Sequence, residues 1–563
     1  MKNLFYNFLQ LTYILTAYVL ISCNSINSVP SKALIEELQL KKGSAITCGI
    51  IDKQFGTVEF DMTCRDKSKA DFNLALELLH SFEYDESEKV FAKIIDENPA
   101  CAMAYWGVAM CNFHALWTPP IESELIKGSK SIEIAQSLPE KSKKESAYIN
   151  AIGVFYKDWH KIDHLTRCSS YEKAMEKLHT DYPEDKEAAI FYALALDASA
   201  KPTDKTYANQ KKAGSILNAI YPAEPNHPGI IHYIIHTYDY PALAKLALPA
   251  ARKYAQVAPS SAHALHMPSH IFTRLGLWDE CIKSNLVSVA SAKCYAEQAG
   301  IKAHWDEELH GMDYLVYAYL QKGENSLAKE QLNYLKTFKA VYPVNFKVAY
   351  AFAAIPSRIC IENKNWAEAE NLQLYPLNFP WSKYPWQQSI MHFARLLGAA
   401  HLQNKKLAAS ELIKLEQLRD TLEQQKDLYK AKQVSIQIKA GEAWIHFTAG
   451  QTQQALTEMK FAAEMEDSTE KHPVTPGEVL PARELLGDMF FGLGHYKDAL
   501  LCYETVLQKS PNRFNSLYGA GRSSEKTGNF QKATLYYKQL LAISDATNSD
   551  RPELALISAF FRN

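Results

Sequence analysis

From about residue 67 to the C-terminus, apolar residues recur every three or four positions. KADFNLALELLH at 69–80 and YKDALLCYETVLQK at 496–509 show the pattern. That period places the apolar side chains on one face of a helix, and short polar turns separate one such run from the next. Residues 41–66 follow a different rule. Val58 and Phe60 alternate with Thr57 and Glu59 behind Gly56, which predicts a strand entered from a turn. An apolar run fills Leu4 to Ser22 behind Lys2, interrupted by Asn7 and Gln10.

The helical region repeats. Gly487 and Gly521 are 34 residues apart, as are Gly494 and Gly528, Tyr496 and Phe530, Ala499 and Ala533, and Tyr503 and Tyr537. Pro511 closes the repeat between them. This spacing resembles the tetratricopeptide repeat (TPR), a helix-turn-helix unit stacked on its neighbours. Its small residues allow close helix crossing, and its aromatics fill the space between repeats. The register extends to Tyr84, Phe91 and Pro99, to Ala328 after Gly323, and to Ala455 and Ala462. Extra residues interrupt it near 120–170, 290–305 and 465–478. Passages such as AMAYWGVAM, HPGIIHYIIHTYD and HALHMPSHIFTRLGLWDE resemble a family of long bacterial TPR proteins. The resemblance implies an all-α, right-handed superhelical solenoid of roughly ten to twelve helix pairs. A small Cys-flanked strand segment precedes it.

The expected organisation is a leader at 1–22, a tether at 23–40, the strand segment at 41–66 and the solenoid at 67–563. Leu20-Ile21-Ser22-Cys23 resembles the bacterial lipobox. It implies cleavage before Cys23 and acylation there, hence a cell-envelope protein anchored to the membrane by lipid. Asn24 in place of aspartate points to the outer membrane. An uncleaved spanning helix is the alternative, since the run is nearly long enough to cross. Cys48 and Cys64 flank the strand segment and are a candidate disulfide in an oxidising compartment. Cys101, Cys111 and Cys502 fall among apolar helix positions and read as buried free thiols.

Composition narrows the function. The formal net charge is -2 over 563 residues, which gives no basic footprint for nucleic acid. The sequence contains no P-loop, no GxSxG, no HExxH and no CxxC. The absence of these signatures leans against an enzyme and leaves the question to the histidines.

Histidines supply the one concentrated signal. Eight of the 18 lie between His227 and His310. His232 and His236 are four apart, as are His266 and His270, and the two pairs are offset by 34 residues. Positions i and i+4 share a helix face. The TPR resemblance puts these residues, with His263, His310 and Asp313, on the helices that line the concave groove. Packed helices have axes about 8–10 Å apart. Imidazoles on adjacent helices can therefore reach one zinc, copper or iron ion, with Zn–N near about 2.0–2.1 Å. His310 or Asp313 completes the set, or an open position takes water or substrate. Two other readings stay open: a hydrogen-bonded network stiffening the groove wall near Tyr233, Tyr238 and Asp239, and direct binding of an anion or peptide.

The remaining candidates are weaker. His80 and His114, also 34 apart, and Trp106 fall at groove positions of the first two repeats. They read as packing or groove residues, as does Trp117. His227 reads as a helix-entry residue, and His263 and His304 as capping residues. The leading expectation is a scaffold whose groove takes a protein or peptide partner. A metal-binding protein or metalloenzyme using the histidine cluster of adjacent repeats is the alternative.

Overall fold

A small residue against an aromatic ring holds each C-terminal helix pair together. A Cβ on Gly487 would lie 2.9 Å from the Tyr503 ring, and one on Gly521 would lie 2.3 Å from the Tyr537 ring. The helices Ala482–Gly492 and Tyr496–Lys509 cross at the first contact, and Phe514–Lys526 and Phe530–Ile543 at the second. The 34-residue spacing of these glycines and tyrosines is therefore a packing rule repeated in space.

The computed structural model describes residues 29–49, 54–64, 66–116, 119–201, 204–544 and 549–562. The expected leader, Cys23 and Trp117 lie outside them. Over the described residues the chain is a continuous solenoid of helix pairs from Lys69–His80 to Pro552–Phe560. Their one sheet is a pair of two-residue parallel strands, His304–Trp305 beside Val341–Tyr342. The 120–170 interruption consists of the helices Glu122–Ser137 and Lys143–Tyr156 and the start of His164–Asp181. No helix among the described residues is long and apolar enough to cross a membrane.

Residues 54–64 form no strand. The predicted alternation is present, with Val58 and Phe60 buried and Glu59 exposed. The backbone, however, bonds to loops and side chains. Thr57 N donates to Asn226 O at 3.0 Å, and Phe60 N to Asn73 Oδ1 at 3.2 Å. The Phe60 ring packs on Phe72, Trp106 and Tyr148 at 5.3, 6.2 and 5.4 Å. The segment is a strap across the helices. Residues 29–40, expected as a tether, hold the helix Lys32–Glu36 and bury Leu38.

The disulfides correct the expected Cys48–Cys64 pairing. Cys48 bonds to Cys294, and Cys64 bonds to Cys101. Cys48 meets the helix Trp278–Gln298, and Cys64 meets the N-cap of the helix Ala102–Cys111, so the two cysteines are held at different elements. Cys101 is therefore not a free thiol, whereas Cys111 and Cys502 are free and buried.

The solenoid coils back on itself. Trp278 Nε1 donates to Asn512 O at 2.9 Å, Phe514 N to Gln321 Oε1 at 3.0 Å, and Ser549 Oγ to Gly323 O at 2.6 Å. Gly276 ends its helix at φ 65°, and a Cβ there would lie 2.2 Å from Pro511 O. Both the left-handed backbone and the close approach require glycine.

Residues 468–481, which overlap the interruption expected near 465–478, are non-helical and run along the inner helices. Glu470 meets Tyr207 and Lys205, Lys471 meets Asp239, and Gly477 O accepts from Arg358. His472 lies against Phe346, Trp386 and Tyr429.

Peptide mapping without reductant is expected to recover Cys48–Cys294 and Cys64–Cys101. Replacing Cys48 by Ser should cost about 2–4 kcal/mol of stability, since the bond closes a long loop. A Cys48–Cys64 peptide would refute this strap.

Candidate metal centre

The helix Pro228–Thr237 begins with Pro228 at its first turn and with His227 as its cap, whose Nδ1 accepts from Ile230 N at 3.3 Å. This entry sets His232 and His236 on its inward face. In the next repeat, Pro268 divides the inner helix into Ala262–His266 and Pro268–Leu275 because proline cannot donate to the preceding turn. Met267 between them keeps a helical backbone, so His266 and His270 still share a face. His310 lies on Asp306–Lys322, the inner helix that follows. All five imidazoles are buried.

Two groups of three result. His232, His236 and His263 form one, and His266, His270 and His310 the other. In each group the candidate ligand atoms lie within 4.8 Å of one another. His236 and His270 adjoin across the groups, with ring centroids 6.2 Å apart. Phe82 lies beside the first group, stacked on His236 at 5.6 Å.

Hydrogen-bond partners fix where the protons sit in the second group. His266 Nδ1 lies 2.6 Å from Asn285 Oδ1. Asn285 Nδ2 donates to Cys281 O at 2.8 Å, so the amide oxygen faces the ring and the Nδ1–H donates to it. His270 Nδ1 lies 3.1 Å from Asp239 Oδ2 and donates to that carboxylate. A neutral imidazole carries one proton, so both Nε2 atoms are lone pairs. They face each other at 3.1 Å. The Tyr314 hydroxyl, 3.3 Å from His270 Nε2, has one proton to offer.

A metal ion suits this arrangement. Tetrahedral zinc with Zn–N of about 2.0–2.1 Å separates its nitrogen ligands by about 3.3–3.4 Å. A carboxylate on the outer nitrogen of a ligating histidine is the usual supporting contact. Asp239 is anchored in turn by Arg274 Nε at 2.8 Å and Lys471 Nζ at 3.4 Å. Burial alone would raise the Asp239 carboxyl, but Lys471, Arg274 and the bond from His270 hold it below the usual carboxylate range. Burial, with Arg274 beside it, pulls the Lys471 ammonium down to about 8.

A third cluster differs. His80 Nε2 and His227 Nε2 meet the two oxygens of Glu187 at 3.0 and 2.6 Å, and His80 Nδ1 meets Tyr233 Oη at 2.9 Å. Every nitrogen there faces a complementary partner. It is a closed hydrogen-bonded network, and Gly229 makes room for it: a Cβ there would lie 2.4 Å from His80 Nδ1.

The profile for the tetratricopeptide repeat matches residues 484–549. These are tetratricopeptide repeats. Within that stretch the repeat accounts for the helix pairs and their 34-residue register. No curated protein matches the chain. Similar solved structures include the human IFIT1 dimer with m7Gppp-AAAA, at 12% identity and TM-score 0.31, covering 83% of this chain and 94% of that one. The human IFIT1 dimer with PPP-AAAA has the same identity and coverage, at TM-score 0.32. Superposition at this level transfers nothing about ligands. TPR solenoids present concave binding surfaces, and here residues 468–481 cover part of that surface.

Of the TPR-groove candidates, the structure gathers His232, His236 and His263 in one group and His266, His270 and His310 in another, rather than the four paired histidines around one shared ion. Asp313 joins neither, and its carboxylate pairs with Arg358 on the neighbouring inner helix. His80 belongs to the Glu187 network. Trp106 is buried under the strap rather than facing a groove. His114 stands apart, 3.3 Å from Glu124 and against Tyr84. His227 caps its helix as expected. His263 does not, because Ser261 does so, and His304 bonds to Glu308 at 2.9 Å. Asn285, Glu187 and Glu307 went unrecognised, and only Glu307 carried a signal, three residues before His310.

Burial, reinforced by neighbouring imidazoles, pushes His232, His236, His266 and His310 well below the ordinary histidine range. A group lowered in the folded state contributes stability above its unfolded value, and that contribution is lost as pH falls below about 6.5. Each such histidine adds up to about 1.4 kcal/mol per pH unit to the slope. The metal-free protein is expected to lose urea resistance steeply between pH 7 and pH 5. A flat midpoint over that range would contradict buried neutral imidazoles.

Proposed function

We propose that this TPR protein binds a transition-metal ion through His266, His270 and His310. The observation that carries the reading is the pair of proton-free Nε2 atoms facing each other at 3.1 Å, each with its outer nitrogen committed. Three neutral imidazoles suit zinc, copper, nickel or iron. Three protein ligands leave a coordination position for water or a small ligand. Asp239 and Asn285 orient two of the rings, and burial excludes bulk water.

The tetratricopeptide repeats support an interaction scaffold with a protein partner, and the chain's own contacts narrow where that partner docks. Residues 468–481 lie over the inner helices. Farther along, Glu484 is engaged by Arg513 at 2.8 Å and Asp488 by Lys364 at 2.8 Å. These acids are satisfied within the chain.

We further propose export and lipid attachment at Cys23, in the cell envelope. The support is the lipobox resemblance together with two disulfides, which persist in oxidising compartments. In cells fed labelled palmitate, the protein should carry label and partition with membranes, and Cys23→Ala should abolish both. Label retained by the variant would refute attachment there.

The metal reading is tested by elemental mass spectrometry on untagged protein purified without chelator. At least one equivalent of a transition metal is expected. His270→Ala should lower the affinity of that ion by at least about 10-fold, since loss of even an outer contact costs about 10–100-fold. Protein that stays metal-free after incubation with zinc and copper salts would overturn the reading.

A further inference from the structure

The group formed by His232, His236 and His263 shows a related crowding of ring nitrogens, on independent contacts. His232 Nδ1 lies 2.6 Å from the His80 carbonyl oxygen and donates to it. Its Nε2 is therefore a lone pair. That single atom lies 2.8 Å from His236 Nε2 and 3.2 Å from His263 Nε2. One lone pair accepts one proton, yet two ring nitrogens converge on it. The three together make one face of a coordination polyhedron, slightly tighter than the about 3.3–3.4 Å edge of tetrahedral zinc. The His80 carbonyl that sets this tautomer is itself immobile, because its ring is fixed by Glu187 and Tyr233.

Glu307 stands behind His263 as Asp239 stands behind His270. One of its oxygens pairs with Lys347. The other, Oε2, is buried without a hydrogen-bond partner and lies 4.0 Å from His263 Nδ1. A buried carboxylate oxygen with nothing to accept is costly. A movement of about 1 Å would let it accept the Nδ1 proton, turning the bare Nε2 of His263 toward an ion, as outer carboxylates do for metal-bound histidines.

We propose that His232, His236 and His263 hold a second transition-metal ion beside the first, with Glu307 as the positioning carboxylate for His263. The ligand class is a zinc- or copper-type ion taken by three neutral imidazoles. The proposal rests on the reading of His266, His270 and His310 as a metal site, and counting ions separates the two.

The test uses the full chain, stripped with chelator, loaded with zinc chloride and passed over a desalting column before elemental analysis. Two equivalents per chain are expected. His236→Ala and His270→Ala should each retain one, and the double variant none. Glu307→Gln should weaken the second ion by at least about 10-fold while leaving the first unchanged. A structural role alone would weaken both or neither, and either result overturns the positioning role. One equivalent in the wild type that His270→Ala removes and His236→Ala keeps overturns the second site and leaves the first. No bound zinc overturns both. If a variant fails to fold, the wild-type count still decides.

Discussion

Two imidazole nitrogens without protons repel each other, and water cannot screen them once they are buried. The outer nitrogens of His266 and His270 are committed to Asn285 and Asp239, so their inner nitrogens cannot bond to each other. Protonating one ring would supply a donor, but burial opposes the charge on His266 and His270 alike. The Tyr314 hydroxyl can meet the lone pair of His270, and leaving that of His266 unmet costs about 1–3 kcal/mol. A shared cation satisfies both at once, and among the described residues no lysine or arginine bonds to either Nε2. Lys471 and Arg274 sit behind Asp239 instead. They strengthen an outer carboxylate rather than neutralise the lone pairs.

The rest of the fold acts to hold these rings still. Asn285 lies on the helix Trp278–Gln298, and so does Cys294, which the disulfide to Cys48 ties to the strap. The strap also grips Ser260, next to the Ser261 cap of the helix that carries His263 and His266. From the other side the loop at 468–481 brings Lys471 onto Asp239. The C-terminal repeats rest on Gly276 and Gly323, near the helices that carry these rings. A chain of stacked helix pairs would by itself flex along its length, since each repeat touches only its neighbours. Contacts between residues more than 200 positions apart convert it into a closed body, which three-imidazole geometry requires.

The sequence made the helix pairs, the inner faces and most of the histidine centre legible, because all three follow from periodicity. A spacing of four within a helix and 34 between repeats is enough to place His232, His236, His266 and His270 on neighbouring faces. It is not enough for side chains whose direction depends on a third element. Asp313 shares a helix with His310 three residues away, yet Arg358 across the next helix draws it off. Cys48 and Cys64 looked paired because they are close in sequence. Each instead bonds to the element it packs against, Cys48 to Cys294 on the helix Trp278–Gln298 and Cys64 to Cys101 at the start of Ala102–Cys111, and that neighbour is set by the fold rather than by sequence distance. The strap also explains Trp106, whose groove-facing position in an idealised repeat is occupied here by Phe60. Asn285 carries no motif, because its role is defined by the ring it faces.

The three histidine clusters are alike in being largely buried, so burial cannot tell a ligand from a structural residue. Proton placement can. In the cluster of His80, Glu187 and His227 a carboxylate lies between the rings, and each N–H points at an oxygen. Negative charge at the centre draws protons inward. In the two inner groups the oxygens lie outside: Asp239 behind His270, Asn285 behind His266 and the His80 carbonyl behind His232. Acceptors at the rim draw protons outward and leave lone pairs at the middle. The first arrangement is complete as it stands. The second is a cavity of electron density turned inward, and the chemistry that fits such a centre is that of a positive ion.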